Sequence, residues 1–175
     1  MKKQDFLLQV PTLFGLEGVV ADELSYNGFS DVEAQNGTVS FTGDLSDIAR
    51  ANLMLRSGER VLIVLARFEA ETFDDLFEGT KDIPWEMFIG SKDRFPVKGW
   101  SLNSQLHSVP DCQKIIKKAV VNRLKENYGL SWFEESGVLY QIQFSILKNQ
   151  VTLLLDTTGA GLYKRGYKRN ETAAP

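Results

Sequence analysis

The sequence predicts a mixed α/β chain of the α+β type, built from two successive units. Three observations carry that expectation. Apolar residues in residues 1–68 switch between strand and helix periods in the order β-α-β-β-α-β. Asn36-Gly37 sits between two short strand-like runs, the strongest short hairpin signal available. The later part holds one long amphipathic helix followed by two β runs joined at Lys148-Asn149-Gln150.

The run DFLLQV, residues 5–10, is short, apolar and strand-like, and Pro11 to Gly15 turns the chain. Leu16, Val19, Val20 and Leu24 then recur at helical spacing, with Asn27-Gly28 as the stop. VEAQ (32–35) and TVSF (38–41) are the hairpin strands. Asp44 can cap a second helix over 45–55, whose expected inner face is Leu45, Ile48, Ala49, Leu53 and Leu55. RVLIVLARF, residues 60–68, is a strand rich in branched aliphatic residues. This order is the split βαβ, or ferredoxin-like, arrangement, in which two helices cover one face of a four-stranded antiparallel sheet.

The second unit, residues 69–158, opens with a short acidic helix over 72–79, capped by Thr72. A further helix is expected from Ile83-Pro84-Trp85 to Ile89, with Pro84 in its first turn. FPVKGWSL (95–102) contains Pro96 and Gly99 and so suits an edge or distorted strand. Residues 111–129, DCQKIIKKAVVNRLKENYG, form the long helix, with Ser108 as N-cap and Gly129 as stop. Cys112, Ile115, Ile116, Ala119, Val120 and Leu124 fall on one side; Lys114, Lys117, Lys118 and Lys125 fall on the other. LYQIQFSIL (139–147) alternates, and 151–155 is its partner strand. Residues 159–175 are a basic exit segment without hydrophobic period.

The chain has 175 residues, enough for two small domains. It has no apolar run of about 18 residues, and MKKQDFLLQVP lacks the apolar core of a signal peptide. The single cysteine, Cys112, cannot form an internal disulfide and falls on the expected buried face. A cytoplasmic location without membrane association is expected. The net charge of −3 hides an asymmetry. Residues 1–91 carry 16 acidic and 7 basic side chains, whereas residues 92–175 carry 7 acidic and 13 basic. A split of this kind suggests that the later part meets a polyanion.

Catalytic patterns are missing. His107 is the only histidine and has no Cys or His at metal-ligand spacing, so no metal site is expected. There is no Gly-x-Ser-x-Gly elbow. The stretch Asp156-Thr-Thr-Gly-Ala-Gly161 is Gly-rich, but no helix follows it to complete an anion site. Adjacent acidic pairs such as Asp74/Asp75 and Glu134/Glu135 point apart and suit solvation rather than acid–base work.

Binding chemistry is better represented. GAGLYKRGYKR (159–169) places Lys164, Arg165, Lys168 and Arg169 beside Tyr163 and Tyr167. Cations neutralise phosphates and tyrosine rings stack on unpaired bases. Together with Lys92, Arg94, Lys98 and the helix lysines Lys114, Lys117, Lys118 and Lys125, they make an RNA-binding surface the expectation. Ser104 and Gln105 precede the helix and could add phosphate or sugar hydrogen bonds. A solvated lysine face and a free basic tail are the competing readings, and Arg123, nearer the apolar side, suits an internal ion pair.

The run over 95–129, preceded by FEGTKDIPWE (77–86) and followed by TLLLDTTGAGLYKRGYKRNETAAP (152–175), resembles the THUMP domain and exit segment of bacterial 23S rRNA guanine-N2 methyltransferases. The opening, residues 13–68, resembles the ferredoxin-like domain that precedes THUMP in that family. SQLHSVPDCQKIIKK (104–118) and GLYKRGYK (161–168) are the most specific parts. The resemblance implies an RNA-binding, substrate-recognition role with 23S rRNA as partner. It also implies an S-adenosylmethionine-dependent catalytic domain beyond Pro175, whose Gly-rich loop and Asn/Asp-Pro-Pro-aromatic motif are not in this sequence. No catalytic residue or cofactor is therefore expected within the chain itself. The same modules also suit a tRNA-modifying enzyme, such as a thiouridine synthase or tRNA methyltransferase. A ferredoxin-like small-molecule sensor or protein-interaction module is the remaining alternative.

Overall fold

The computed structural model describes residues 5–164. They form two compact units: residues up to 63 together with those from 157 onward, and residues 64–156.

In the first unit, β1 (Phe6–Pro11), α1 (Glu17–Tyr26), β2 (Ser30–Gln35), β3 (Thr38–Gly43), α2 (Leu45–Met54) and the start of β4 (Leu62–Glu69) follow the expected order. The strands lie as β2-β3-β1-β4, and the β1–β3, β1–β4 and β2–β3 pairs are antiparallel. Gly37 adopts φ 76° in the β2–β3 turn, a conformation open to glycine. Leu8, Val10, Val39 and Phe41 of the sheet meet Val20 and Leu24 of α1 and Ile48 and Ala51 of α2 in the core. Asp44 caps α2, accepting from the Ser46 and Asp47 amides, and Asp47 closes the box back onto the Asp44 amide.

Helix facing differs from expectation. Leu45 (71% exposed) and Leu53 (80%) of α2 point to solvent, as does Ala49, while Ile48, Ala51 and Leu55 are buried. In α1, Val20 and Leu24 are buried, but Leu16 and Val19 are not. In each helix the sheet selects one narrow stripe out of a broader apolar sector. Residues from 157 return to this unit. Thr157 donates to the Val61 carbonyl, Asn52 donates to Thr157 Oγ1 (2.9 Å), Arg60 donates to the Gly159 carbonyl (2.8 Å), and Leu162 is buried.

The second unit contains α3 (Phe73–Lys81), β5 (Val97–Leu102), α4 (Val109–Tyr128), β6 (Ile142–Leu147) and β7 (Gln150–Asp156), together with the remainder of β4. Strand order is β4-β7-β6-β5, with β5 parallel to β6 and β6 antiparallel to β7. β5 is thus an edge strand, which suits Pro96 at its entrance. Thr72 and Asp75 form a capping box at α3, and Asp75, expected to be solvated, accepts the Glu71 and Thr72 amides instead. α3 runs through Gly79 to Lys81, and a Cβ at Gly79 would strike the Phe68 ring at 2.5 Å, so this glycine serves packing rather than termination. The helix expected from Pro84 reduces to a 3-10 turn, Trp85–Met87. Pro84 has ψ 70°, outside the helical region, and the buried Trp85 indole donates to the Thr80 carbonyl at 2.7 Å. β6 begins at Ile142 rather than Leu139, which makes only an isolated bridge to Arg94. Ile142, Phe144, Ile146, Val151, Leu153 and Leu155 form the buried sheet face beneath Cys112, Ile116, Ala119, Val120 and Leu124 of α4.

Candidate nucleic-acid interface

The interface is built around α4. Ser108 stands at the N-cap, but its hydroxyl donates to Asp111 Oδ2 (2.6 Å) instead of accepting an amide. That bond, then Lys114 at 3.3 Å, holds the Asp111 carboxyl below the usual carboxylate range. Gly129 ends the helix at φ 65°. At ~100° per residue, Lys114, Lys118 and Lys125 align within about 40° on the outer side of the helix. Lys114 is 77% exposed, and Lys118 rides over the Phe77 ring at 5.6 Å. Lys125 is partly buried along the helix surface, in the manner of a long cationic side chain that lays its stem on the protein.

Lys117 lies about 60° off this row and turns inward. Its ammonium donates to the Phe95 carbonyl (3.1 Å) and Glu135 (2.7 Å) and sits 3.9 Å from the Phe95 ring centroid. It pins the 130–138 loop to the domain, so it is a poor phosphate ligand. Arg123 makes the expected internal ion pair, a fork onto both Glu86 oxygens (3.0 and 2.6 Å). Cys112 is buried, and that burial pushes its thiol up, as a packing residue requires.

The residues before α4 are largely committed to the fold. Ser104 donates to the Leu102 carbonyl and accepts the Asn149 amide. The Gln105 amide donates to Asn149 Oδ1, while its side chain is exposed. Lys98 is exposed on β5 but lies on the opposite side of the sheet from α4, since it pairs with Gln143 rather than with the buried Ile142 and Phe144. Beside it stands Trp100, a half-exposed aromatic that the alternation of FPVKGWSL marks but that the basic pattern alone passes over.

Residues 8–62 match the family model of the RlmL ferredoxin-like domain, and residues 70–156 match that of the THUMP domain. The chain joins an RlmL ferredoxin-like domain to a THUMP domain. A Bacillus subtilis protein named "Putative RNA methyltransferase YpsC" is 46% identical over the whole of this chain, which covers 45% of that protein. The "Ribosomal RNA large subunit methyltransferase K/L" of Cellvibrio japonicus is 29% identical over 92% of the chain and 22% of its own length. The crystal structure of a Listeria monocytogenes protein, described as a "predicted N6-adenine-specific DNA methylase", superposes with TM-score 0.92 at 50% identity, over 98% of this chain and 45% of that one. The chain spans less than half the length of these relatives.

The lysine row and Lys98 belong to the THUMP domain. Tyr163 and Lys164 lie beyond it in a 3-10 turn, with the Lys164 ammonium 5.7 Å from the Tyr163 ring centroid. Arg165, Tyr167, Lys168 and Arg169 lie outside the described residues. The Gly-rich stretch over 156–161 does not fit S-adenosylmethionine. The Gly-rich stretch after β7 leads into that short 3-10 turn, and the Thr157 and Thr158 hydroxyls are bonded to Val61 and Asn52. Among the described residues there is no cluster of metal-ligating side chains and no helix long and apolar enough to cross a membrane.

Proposed function

We propose that this chain is the RNA-recognition part of an S-adenosylmethionine-dependent methyltransferase that acts on guanine N2 of 23S ribosomal RNA in the cytoplasm. Its ferredoxin-like and THUMP domains hold a structured RNA, and the methyl donor belongs to a catalytic domain outside this sequence. The observation that carries this reading is the row of Lys114, Lys118 and Lys125 on the outer side of one THUMP helix. The identity to a named RNA methyltransferase supports it. Phosphates attract such a row without base readout, as a module that positions rather than modifies RNA requires. Ser104, Gln105, Tyr163, Lys164, Arg165, Tyr167 and Lys168 are secondary candidates for contacts to the same RNA.

The test is affinity for a 23S rRNA stem-loop as a function of salt. Lys114→Glu together with Lys118→Glu should weaken binding and reduce the slope of log K against log salt by about 2. Lys117→Met should leave that slope unchanged while lowering thermal stability. An unchanged slope in the double variant overturns the lysine row. Preference for tRNA over the rRNA stem-loop would transfer the reading to a tRNA-modifying enzyme, and preference for duplex DNA would remove RNA as the substrate.

A further inference from the structure

The THUMP sheet has a second face. Val97, Gly99 and Ser101 of β5 register with the buried Ile142, Phe144 and Ile146, whereas Lys98, Trp100 and Leu102 register with Gln143, Ser145 and Leu147. Paired residues share a face, so the second set lies on the side opposite α4. Lys81 of α3 pairs with Glu126 of α4 and Lys118 of α4 lies over Phe77 of α3, so α3 packs beside α4 on the same side. No helix of the THUMP domain therefore covers Trp100, which is 50% exposed. The contrast with Trp85 is direct: Trp85 is fully buried and its indole donates to the Thr80 carbonyl.

Gly99 contributes to this presentation. A Cβ at that position would stand 2.1 Å from the Phe144 carbonyl oxygen and 2.4 Å from its ring. Glycine lets the edge strand lie close against β6, and the next residue, Trp100, falls on the open face. The indole stands where a cationic and hydrogen-bonding row meets an apolar one, Leu102 and Leu147. Lys98 is about 7 Å along the strand, Gln143 and Ser145 lie on β6, and Thr152 continues the row on β7 opposite Ser145. The exposed lysine beside the indole is the feature that the core of a protein interface is depleted in. A nucleotide has the complementary chemistry: an aromatic face to stack, polar edges to bond and a phosphate to neutralise.

We infer that this helix-free face binds an unpaired nucleotide of RNA, with its base stacked on Trp100, its phosphate at Lys98 and its base edge met by Gln143 and Ser145. The inference rests on the RNA-binding reading and adds to it: the α4 row holds paired backbone, and the sheet face requires a base that is not in a helix. The experiment compares an RNA hairpin carrying an unpaired loop of mixed sequence with a blunt duplex of the same stem, using the complete 175-residue chain. Trp100→Ala should weaken hairpin binding about tenfold and leave duplex binding unchanged, and Trp100→Phe should restore most of the loss. If Trp100→Ala binds the hairpin as the parent does while Lys114→Glu/Lys118→Glu is impaired, the sheet-face inference is overturned and the RNA reading stands. If the parent binds neither RNA, both fall. If Trp100→Ala abolishes self-association in sedimentation but not hairpin binding, the face docks a second copy of the chain and the inference is again overturned.

Discussion

Lys117 and Lys118 are adjacent in sequence yet have different roles, and the difference comes from their neighbours. A turn of ~100° brings the Lys117 ammonium onto the Phe95 carbonyl, the Phe95 ring and Glu135. Lys118 is left on the outer side over Phe77. Arg123 shows the same principle with better geometry. Its fork onto Glu86 is only 31% and 21% exposed on the two side chains, so solvent screens it less than the surface pairs. Glu86→Gln should remove about 1–2 kcal/mol at neutral pH. The pH dependence has a definite sign. Hydrogen bonding from Arg123 holds the Glu86 carboxyl below its usual range. The stabilisation is therefore complete above the ordinary glutamate range and fades as pH falls through the lowered value. The melting-temperature gap between parent and Glu86→Gln should shrink on acidification; a gap of constant size from neutral to acid pH would show that the pair does not act through its charge.

At the scale of elements, the β6–β7 turn gathers four hydrogen bonds on one residue. Lys148 and Asn149 both take positive φ, 50° and 65°. The Asn149 amide donates to Ser104, its carbonyl accepts from Ala70, its Oδ1 accepts from Gln105, and its Nδ2 donates to Glu71. Asn149→Gly keeps the left-handed backbone and loses the side-chain bonds, so it should cost about 1–2 kcal/mol. Asn149→Ala loses the bonds and adds backbone strain, so it should cost about 2–4 kcal/mol. Denaturant melts in which alanine is better tolerated than glycine would contradict this account. Turns and caps of this kind were legible in the sequence because their residues report on their own backbone: Asn36-Gly37, Asp44, Thr72 and Gly129 stand where expected. Helix facing was less legible. In α2, Leu45, Ala49 and Leu53 have as good a helical spacing as Ile48, Ala51 and Leu55, and only the sheet decides between them. The parallel pairing of β5 with β6 has no local signal at all, so the open face carrying Lys98 and Trp100 could not be separated from the α4 side by periodicity alone.

At the scale of the whole molecule, the charge asymmetry along the sequence does not become one basic domain and one acidic domain. Residues 64–156 contain 11 basic and 13 acidic side chains, so the THUMP unit is slightly acidic and its lysine row is a local feature of α4. Many of its acidic groups are structural. Asp75 in the α3 cap, Glu86 against Arg123 and Asp111 at the start of α4 are all held below their ordinary pKa, by Thr72, by Arg123 and by Ser108 respectively. In the ferredoxin-like unit Glu17 is held low as well, mainly by the Gly37 amide, which it accepts at 2.7 Å while also accepting that of Gly15. A carboxylate whose folded pKa is depressed contributes stability above its unfolded pKa, and that contribution disappears as pH falls through the folded value. The loss therefore sets in below about pH 4, and it falls on more sites in the THUMP unit than in the ferredoxin-like one. Amide exchange followed by mass spectrometry should show protection failing first in residues 70–156 on acidification, with the α3 cap and the α4 start leading. Earlier failure around Glu17 and the Asn36-Gly37 turn would mean that these carboxylates do not govern the acid response.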